Sequence, residues 1–208
     1  MRLKKIIIAV ESIIVGIMLV ITAILINDIS KARGTLQALR QSSSFLTDPS
    51  IQASGRSFIG IRFMDFILND TRGNPYSLEE DKAQLKIIIL FNTGDCAGCL
   101  AEYRFWKRIY DGYPPDKVSI TGISNDTDIG ALISFLSERD IRFRVLHDSG
   151  NTIRNGMGLR FSPLRIMLDR DDKILAIERT GADIVKQRQL LRFIDAQVSA
   201  PRGGVATF

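Results

Sequence analysis

Cys96 and Cys99 are the chain's only two cysteines, and two residues separate them. They lie within KIIILFNTGDCAGCLAEYRFWKRIY, residues 86–110. Ile87, Ile88, Ile89, Leu90 and Phe91 form an unbroken apolar run, β-branched at first, which suits a strand covered on both faces. After a turn at Gly94, the spacing of Leu100, Tyr103, Trp106 and Tyr110 predicts an amphipathic helix with that face on the sheet. The sulfurs therefore sit where strand becomes helix. Unsatisfied N–H groups and the positive end of the helix dipole stabilise a thiolate there, and Cys96 is the better placed of the two. One helical turn puts Cys99 beneath Cys96, in position to resolve a mixed disulfide from within. Two incidental buried cysteines are one alternative, and half of a zinc site is another. Zinc requires two more nitrogen or sulfur ligands, and His147 is the single histidine. Glu102, one turn beyond Cys99, is placed to pass a proton to or from the buried thiol, with an exposed helix carboxylate as the plain alternative. Asp95 can cap the helix, yet its charge opposes the dipole's effect on Cys96.

The elements around this motif read as an α/β domain. Apolar residues between 58 and 68 feed a first strand, Arg72-Gly73-Asn74-Pro75 supplies turn chemistry, and a hairpin follows. A polar turn at 78–84 leads into the central strand. Beyond the motif, residues 118–123 form a strand. The helix DIGALISFLSERD comes next, capped by Asp126 or Thr127, with Ile129, Leu132, Ile133, Phe135 and Leu136 inward. Residues 141–146 alternate as a strand and 151–157 form a short helix. Strand, helix, strand in this order implies a right-handed crossover and parallel pairing. Two more strands, 165–168 and 174–178, flank a hairpin loop. Asp183 opens a closing helix to about Val198, with Ile184, Leu191, Ile194 and Val198 on one face. Pro163 stands at a strand entrance, where a missing N–H is tolerated.

From about residue 58 to 198 the chain resembles thioredoxin-fold proteins of the membrane-anchored TlpA/ResA kind, within the wider redoxin group that includes AhpC/TSA peroxiredoxins. The matching landmarks are FILNDTRGNPYSL (66–78), the CxxC with Glu102 three residues on, VLHDSGNTIRNGMGL (145–159) and SPLRIMLDRDDKIL (162–175). The resemblance implies a thioredoxin-like fold with an N-terminal β-hairpin extension. It also implies a cis Ser162–Pro163 bond facing the CxxC, with the Ser162 backbone docking an extended substrate segment. Asp95 stands where such proteins usually carry an aromatic residue, Ala97-Gly98 and Arg104 stand where prolines are common, and Leu90 replaces a familiar buried acid. Thr93 gives the TxxC spacing of peroxiredoxins, whose threonine hydroxyl orients a peroxide. Their upstream proline is missing, however, and the place of their thiolate-holding arginine is taken by Pro163. Thr93 is then a turn residue. A copper-delivering assembly factor using Cys96, Cys99 and His147 is the reading from another class, although copper-delivering relatives of this fold space their cysteines by three.

A chain of 208 residues, 45% hydrophobic and 25% charged, accommodates one well-cored domain and an appendage. Its net charge of +5 is scattered among acids rather than gathered into a stripe, which argues against nucleic acid as a partner. Residues 6–26 are apolar apart from Glu11, Ser12 and Thr22, and reach about 30 Å as a helix, the thickness of a bilayer core. With Arg2, Lys4 and Lys5 before the run, the positive-inside rule places the N-terminus in the cytoplasm. The expected organisation is a transmembrane anchor (1–27), a stalk (28–57), the thioredoxin-like domain (58–200) on the periplasmic or extracellular face, and a tail (201–208). The expected activity is thiol–disulfide exchange through Cys96, Cys99 and Glu102, with Ser162 and Pro163 docking the substrate. No bound cofactor or metal is required. The partners are exported protein thiols or disulfides, a membrane electron donor or acceptor, and the lipid bilayer.

Overall fold

The computed structural model describes residues 58–95, 100–181 and 183–199, together with Met18, Ile21 and Thr22. The chain divides into two compact units, Met1–Gln41 and Ser42–Phe208. In the first, Met18, Ile21 and Thr22 are helical, and the Thr22 hydroxyl donates to the Met18 carbonyl at 2.7 Å. The rest of the expected membrane run, the stalk and the tail lie outside the described residues. Among those residues, no helix is long and apolar enough to cross a membrane.

The second unit holds seven strands in one sheet, four α-helices and a short 3-10 turn at Leu78–Glu80 among its described residues. The hairpin β1 (Ile67–Asp70) and β2 (Pro75–Ser77) precedes β3 (Leu85–Phe91) and α1 (Tyr103–Gly112). Then come β4 (Val118–Ser124), α2 (Ile129–Glu138), β5 (Arg144–His147), α3 (Thr152–Met157), β6 (Leu164–Asp169), β7 (Ile174–Arg179) and α4 (Ile184–Ser199). The sheet order is β2-β1-β5-β4-β3-β6-β7. As the crossover pattern predicts, β3, β4 and β5 run parallel. The hairpin joins antiparallel through β1 on β5, and β6 and β7 are antiparallel on the other side.

All seven residues of β3 are buried, as a central strand requires. Its side chains alternate: Leu85, Ile87, Ile89 and Phe91 face a core shared with α1, α2 and α4, while Ile88 and Leu90 face one shared with Phe63, Tyr76 and Ile153 of α3. Gly122 of β4 makes room for this packing. A Cβ there would stand 3.1 Å from both the Phe91 ring and Val145.

Three helix faces differ from the periodicity reading. In α1 the buried stripe is Phe105, Trp106 and Ile109, while Tyr110 is exposed and Tyr103 half-buried. Turns at Ala101 and Glu102 interrupt the helix after Leu100, so counting on from Leu100 finds the buried Trp106 but misses Phe105 and Ile109 and places the exposed Tyr110 inward. In α2 the inward residues are Leu132, Phe135 and Leu136, with Ile129 and Ile133 exposed. Its cap is Asp128, which accepts from Gly130 and Ala131 N–H, and neither Asp126 nor Thr127 serves. In α4 the buried set is Leu190, Phe193 and Ile194, and Ile184 lies open in the first turn.

Sheet topology gathers the functional loops at one end. Because β6 is antiparallel to β3, with Leu164 opposite Leu90, the residues entering β6 arrive beside those leaving β3. Because β7 is antiparallel to β6, with Arg179 opposite Leu164, its last residue arrives there too. A cleft of about 840 Å³, lined by Tyr76, Val118, Ile120 and Arg144, lies at the opposite ends of the parallel strands.

Candidate active site

Cys96 and Cys99 lie outside the described residues, so the site is built from what flanks them: Asp95 before, Leu100 after, and the loops that meet there. The turn that delivers Cys96 is pinned at every residue. The Asn92 N–H donates to Asp95 Oδ2 at 2.8 Å, and Gly94 N–H to Asn92 Oδ1 at 2.8 Å. Thr93 donates its N–H to Asp126 at 3.1 Å and its hydroxyl to Asp126 Oδ1 at 2.6 Å. Asp126 is itself buried at the end of β4, where Ser124 Oγ donates to it. The His147 Nε2 lies 2.7 Å from the Asp126 carbonyl, the geometry of an Nε2–H donor. Thr93 is thus a turn residue, as expected, and His147 is a packed one. Asp126, first read as a helix cap, instead anchors the turn before the cysteines.

Across from this turn, the Ser162–Pro163 peptide bond is cis. The Ser162 hydroxyl donates to Asp95 Oδ2 at 2.6 Å, which joins the residue before Cys96 directly to the residue before Pro163. Arg154 of α3 supports the same loop, donating from Nη2 to Ser162 Oγ and from Nη1 to the Phe161 carbonyl, each at 3.1 Å. Burial lowers the Arg154 pKa, and Asp95 and Asp148 pull it back up. Leu90 is buried, as the missing acid of the resemblance requires.

Glu102 is 1% exposed, which removes the reading as an exposed helix carboxylate. Its Oε1 accepts from Arg165 Nη1 at 3.1 Å and its Oε2 from Gly181 N–H at 3.1 Å. Arg165 also donates from Nε to Glu178 Oε1 at 2.6 Å and pairs with that carboxylate through Nη2. Two buried carboxylates thus share one buried guanidinium, with the Arg165 fork lying 5.8 Å from the Phe105 ring centroid. Burial pushes the Glu178 carboxyl above its ordinary value, against the lowering effect of Arg165. Arg165 and Glu178 were missed from sequence. Each lies near the end of a strand, where a buried charge shows only once its partner on another element is known.

The description "AhpC/TSA family" belongs to a family model that matches residues 59–182. The chain belongs to the AhpC/TSA family. Within it, the chain is a ResA-like redoxin, an oxidoreductase. The thiol-disulfide oxidoreductase ResA of Bacillus thuringiensis subsp. konkukian (strain 97-27) is 27% identical over 118 residues, covering 56% of this chain and 67% of its own. ResA of Bacillus anthracis is 26% identical over the same length and coverage. Among solved structures, the thioredoxin domain of a thiol-disulfide oxidoreductase from Bacteroides vulgatus superposes with a TM-score of 0.58 at 19% identity, covering 67% of this chain and 99% of that one. The peroxidoxin BcpB of Mycobacterium tuberculosis gives 0.57 at 17% identity, with 70% and 99% covered. These likenesses establish the thioredoxin-like fold. They do not choose between dithiol exchange and peroxidase chemistry, which falls to the residues.

Proposed function

We propose that this redoxin is a membrane-tethered, extracytoplasmic thiol–disulfide oxidoreductase working through Cys96 and Cys99. The observation that carries the reading is the 2.6 Å hydrogen bond between Ser162 and Asp95, which brings the loop entering β6 against the turn that delivers Cys96. In the reducing direction the Cys96 thiolate attacks one sulfur of a client disulfide. The client S–S bond breaks, and the leaving thiolate takes a proton. Cys99 then loses its proton and attacks the Cys96 sulfur, forming the Cys96–Cys99 disulfide and releasing the second client thiol. Two electrons pass to the client, and the oxidising direction is the reverse. Glu102, buried three residues after Cys99, takes up or returns the Cys99 proton, and Ser162 and Pro163 dock the client chain.

The peroxidase alternative fits the neighbouring residues less well. The Thr93 hydroxyl proton is given to Asp126, which leaves none to donate to a peroxide oxygen. Arg165 is committed to Glu102 and Glu178. The metal-assembly reading rests on the same two sulfurs and is separated by metal content of the purified protein.

The test is trapping. Cys99→Ala keeps the attacking thiolate and removes the group that releases the client, so mixed disulfides accumulate on acid-quenched, non-reducing gels. Cys96→Ala traps almost nothing. Equal trapping by both variants, or fast peroxide consumption by Cys99→Ala with no adducts, overturns the assignment.

A further inference from the structure

The acids and bases around the loop entering β6 are used unequally. Asp95, Asp148 and Glu178 are each engaged by the protein's own donors, and so is Asp183, which is exposed at the start of α4. Asp95 accepts from Asn92 N–H and Ser162, and Asp148 accepts from Thr152 and Ile153 N–H at 2.8 and 2.9 Å. Glu178 pairs with Arg165, and Asp183 accepts from Val185 and Lys186 N–H at the start of α4. Of the three arginines at the loop, Arg154 is held under it by Ser162 and Phe161 and faces Asp95 and Asp148. Arg160 and Arg179 are exposed, and neither joins an ion pair among the described residues. Arg179 is also held in place: its guanidinium stacks 4.8 Å from the centroid of the half-buried Phe161 ring, one residue before Ser162. A guanidinium fixed by stacking keeps its donor fork free for a carboxylate, at reduced entropic cost on binding.

We infer that Arg160 and Arg179 form a cationic rim that selects client segments carrying Asp or Glu beside the reacting cysteine. This inference rests on the thiol–disulfide reading above and specifies its substrate class. A client strand lying along the Ser162–Pro163 loop would run beside Arg179, stacked on Phe161, and past Arg160, two residues before Ser162, so acidic flanks gain charge-assisted contacts while lysine flanks meet like charge. Rim charges of this kind act mainly on the association rate and are weakened by salt.

The experiment uses the reduced full-length chain and four disulfide probes. Three are dimers of one short cysteine peptide with flanks of Asp/Glu, Ser or Lys, and the fourth is the neutral 2-hydroxyethyl disulfide. The acidic peptide is expected to be reduced about fivefold faster than the lysine peptide at low ionic strength, with the gap closing at high salt. Arg160→Glu with Arg179→Glu should invert the order, and the milder Arg160→Gln with Arg179→Gln should bring the ratio towards one. Reduction of all three peptides at equal rates, or a preference unchanged in both double variants, overturns the rim while leaving the oxidoreductase reading in place. Failure to reduce even 2-hydroxyethyl disulfide overturns the oxidoreductase reading and the rim with it.

Discussion

Asp95 stands directly before the attacking Cys96, and its carboxylate has two effects. It ties Ser162 to the turn before Cys96 through a 2.6 Å bond, and it places a negative charge one residue from the attacking sulfur. A nearby like charge disfavours a thiolate. Asp95→Asn keeps an acceptor for Ser162 while removing that charge, and leaves Arg154 without one of its two counter-charges. The expected outcome is faster alkylation of Cys96 at neutral pH, by roughly three- to tenfold for a charge a few ångströms away in a partly solvated site. The measurement is the iodoacetamide rate as a function of pH in the Cys99→Ala background, where an unchanged profile rules out the carboxylate as a control on the thiol. A thiolate that forms more readily stabilises the reduced pair, so the same change should also make the Cys96/Cys99 couple more oxidising.

At the scale of elements, the Glu102–Arg165–Glu178 network joins the start of α1 to β6 and β7. The groups facing Glu178 are Arg165 from β6, Glu102 from the start of α1 and Lys186 from α4. Because the folded-state pKa of Glu178 is raised above its ordinary carboxylate value, the native state holds more protons than the unfolded chain between those two values. Stability therefore falls as pH rises through that window. Glu178→Gln should flatten this part of the stability profile, as read by urea unfolding at a series of pH values, because Arg165 keeps Glu102 as its partner. A profile identical to wild type argues against Glu178 as the titrating group. Arg165→Met leaves two buried carboxylates without their shared guanidinium and is expected to lose about 3–5 kcal/mol.

At the scale of the molecule, the proposed topology is a single anchor with the domain on the far side of the membrane, which would supply both electrons and clients from that side. Alkaline phosphatase fused after Phe208 should be active and a reporter that works only in the cytoplasm inactive. The opposite pair of results would place the cysteines in the reducing compartment and remove the need for a membrane partner.

Much of this protein is written in local pattern. The apolar run 87–91 announces a buried central strand, and the Arg72-Gly73-Asn74-Pro75 turn announces the hairpin. Pro163 at the entrance of β6 is legible for the same reason, since its lost N–H is a local property. What only the tertiary structure decided are the pairings between distant elements. Which side chains of α1 face inward depended on the turns at Ala101 and Glu102, and the fate of Asp126 on Thr93, 33 positions away. Whether Glu102 is buried depended on Arg165, 63 positions along the chain. A carboxylate reads the same in sequence whether it caps a helix, faces water or holds a guanidinium in the core. Its partner is chosen by sheet order and register, and those are settled only when the whole domain packs.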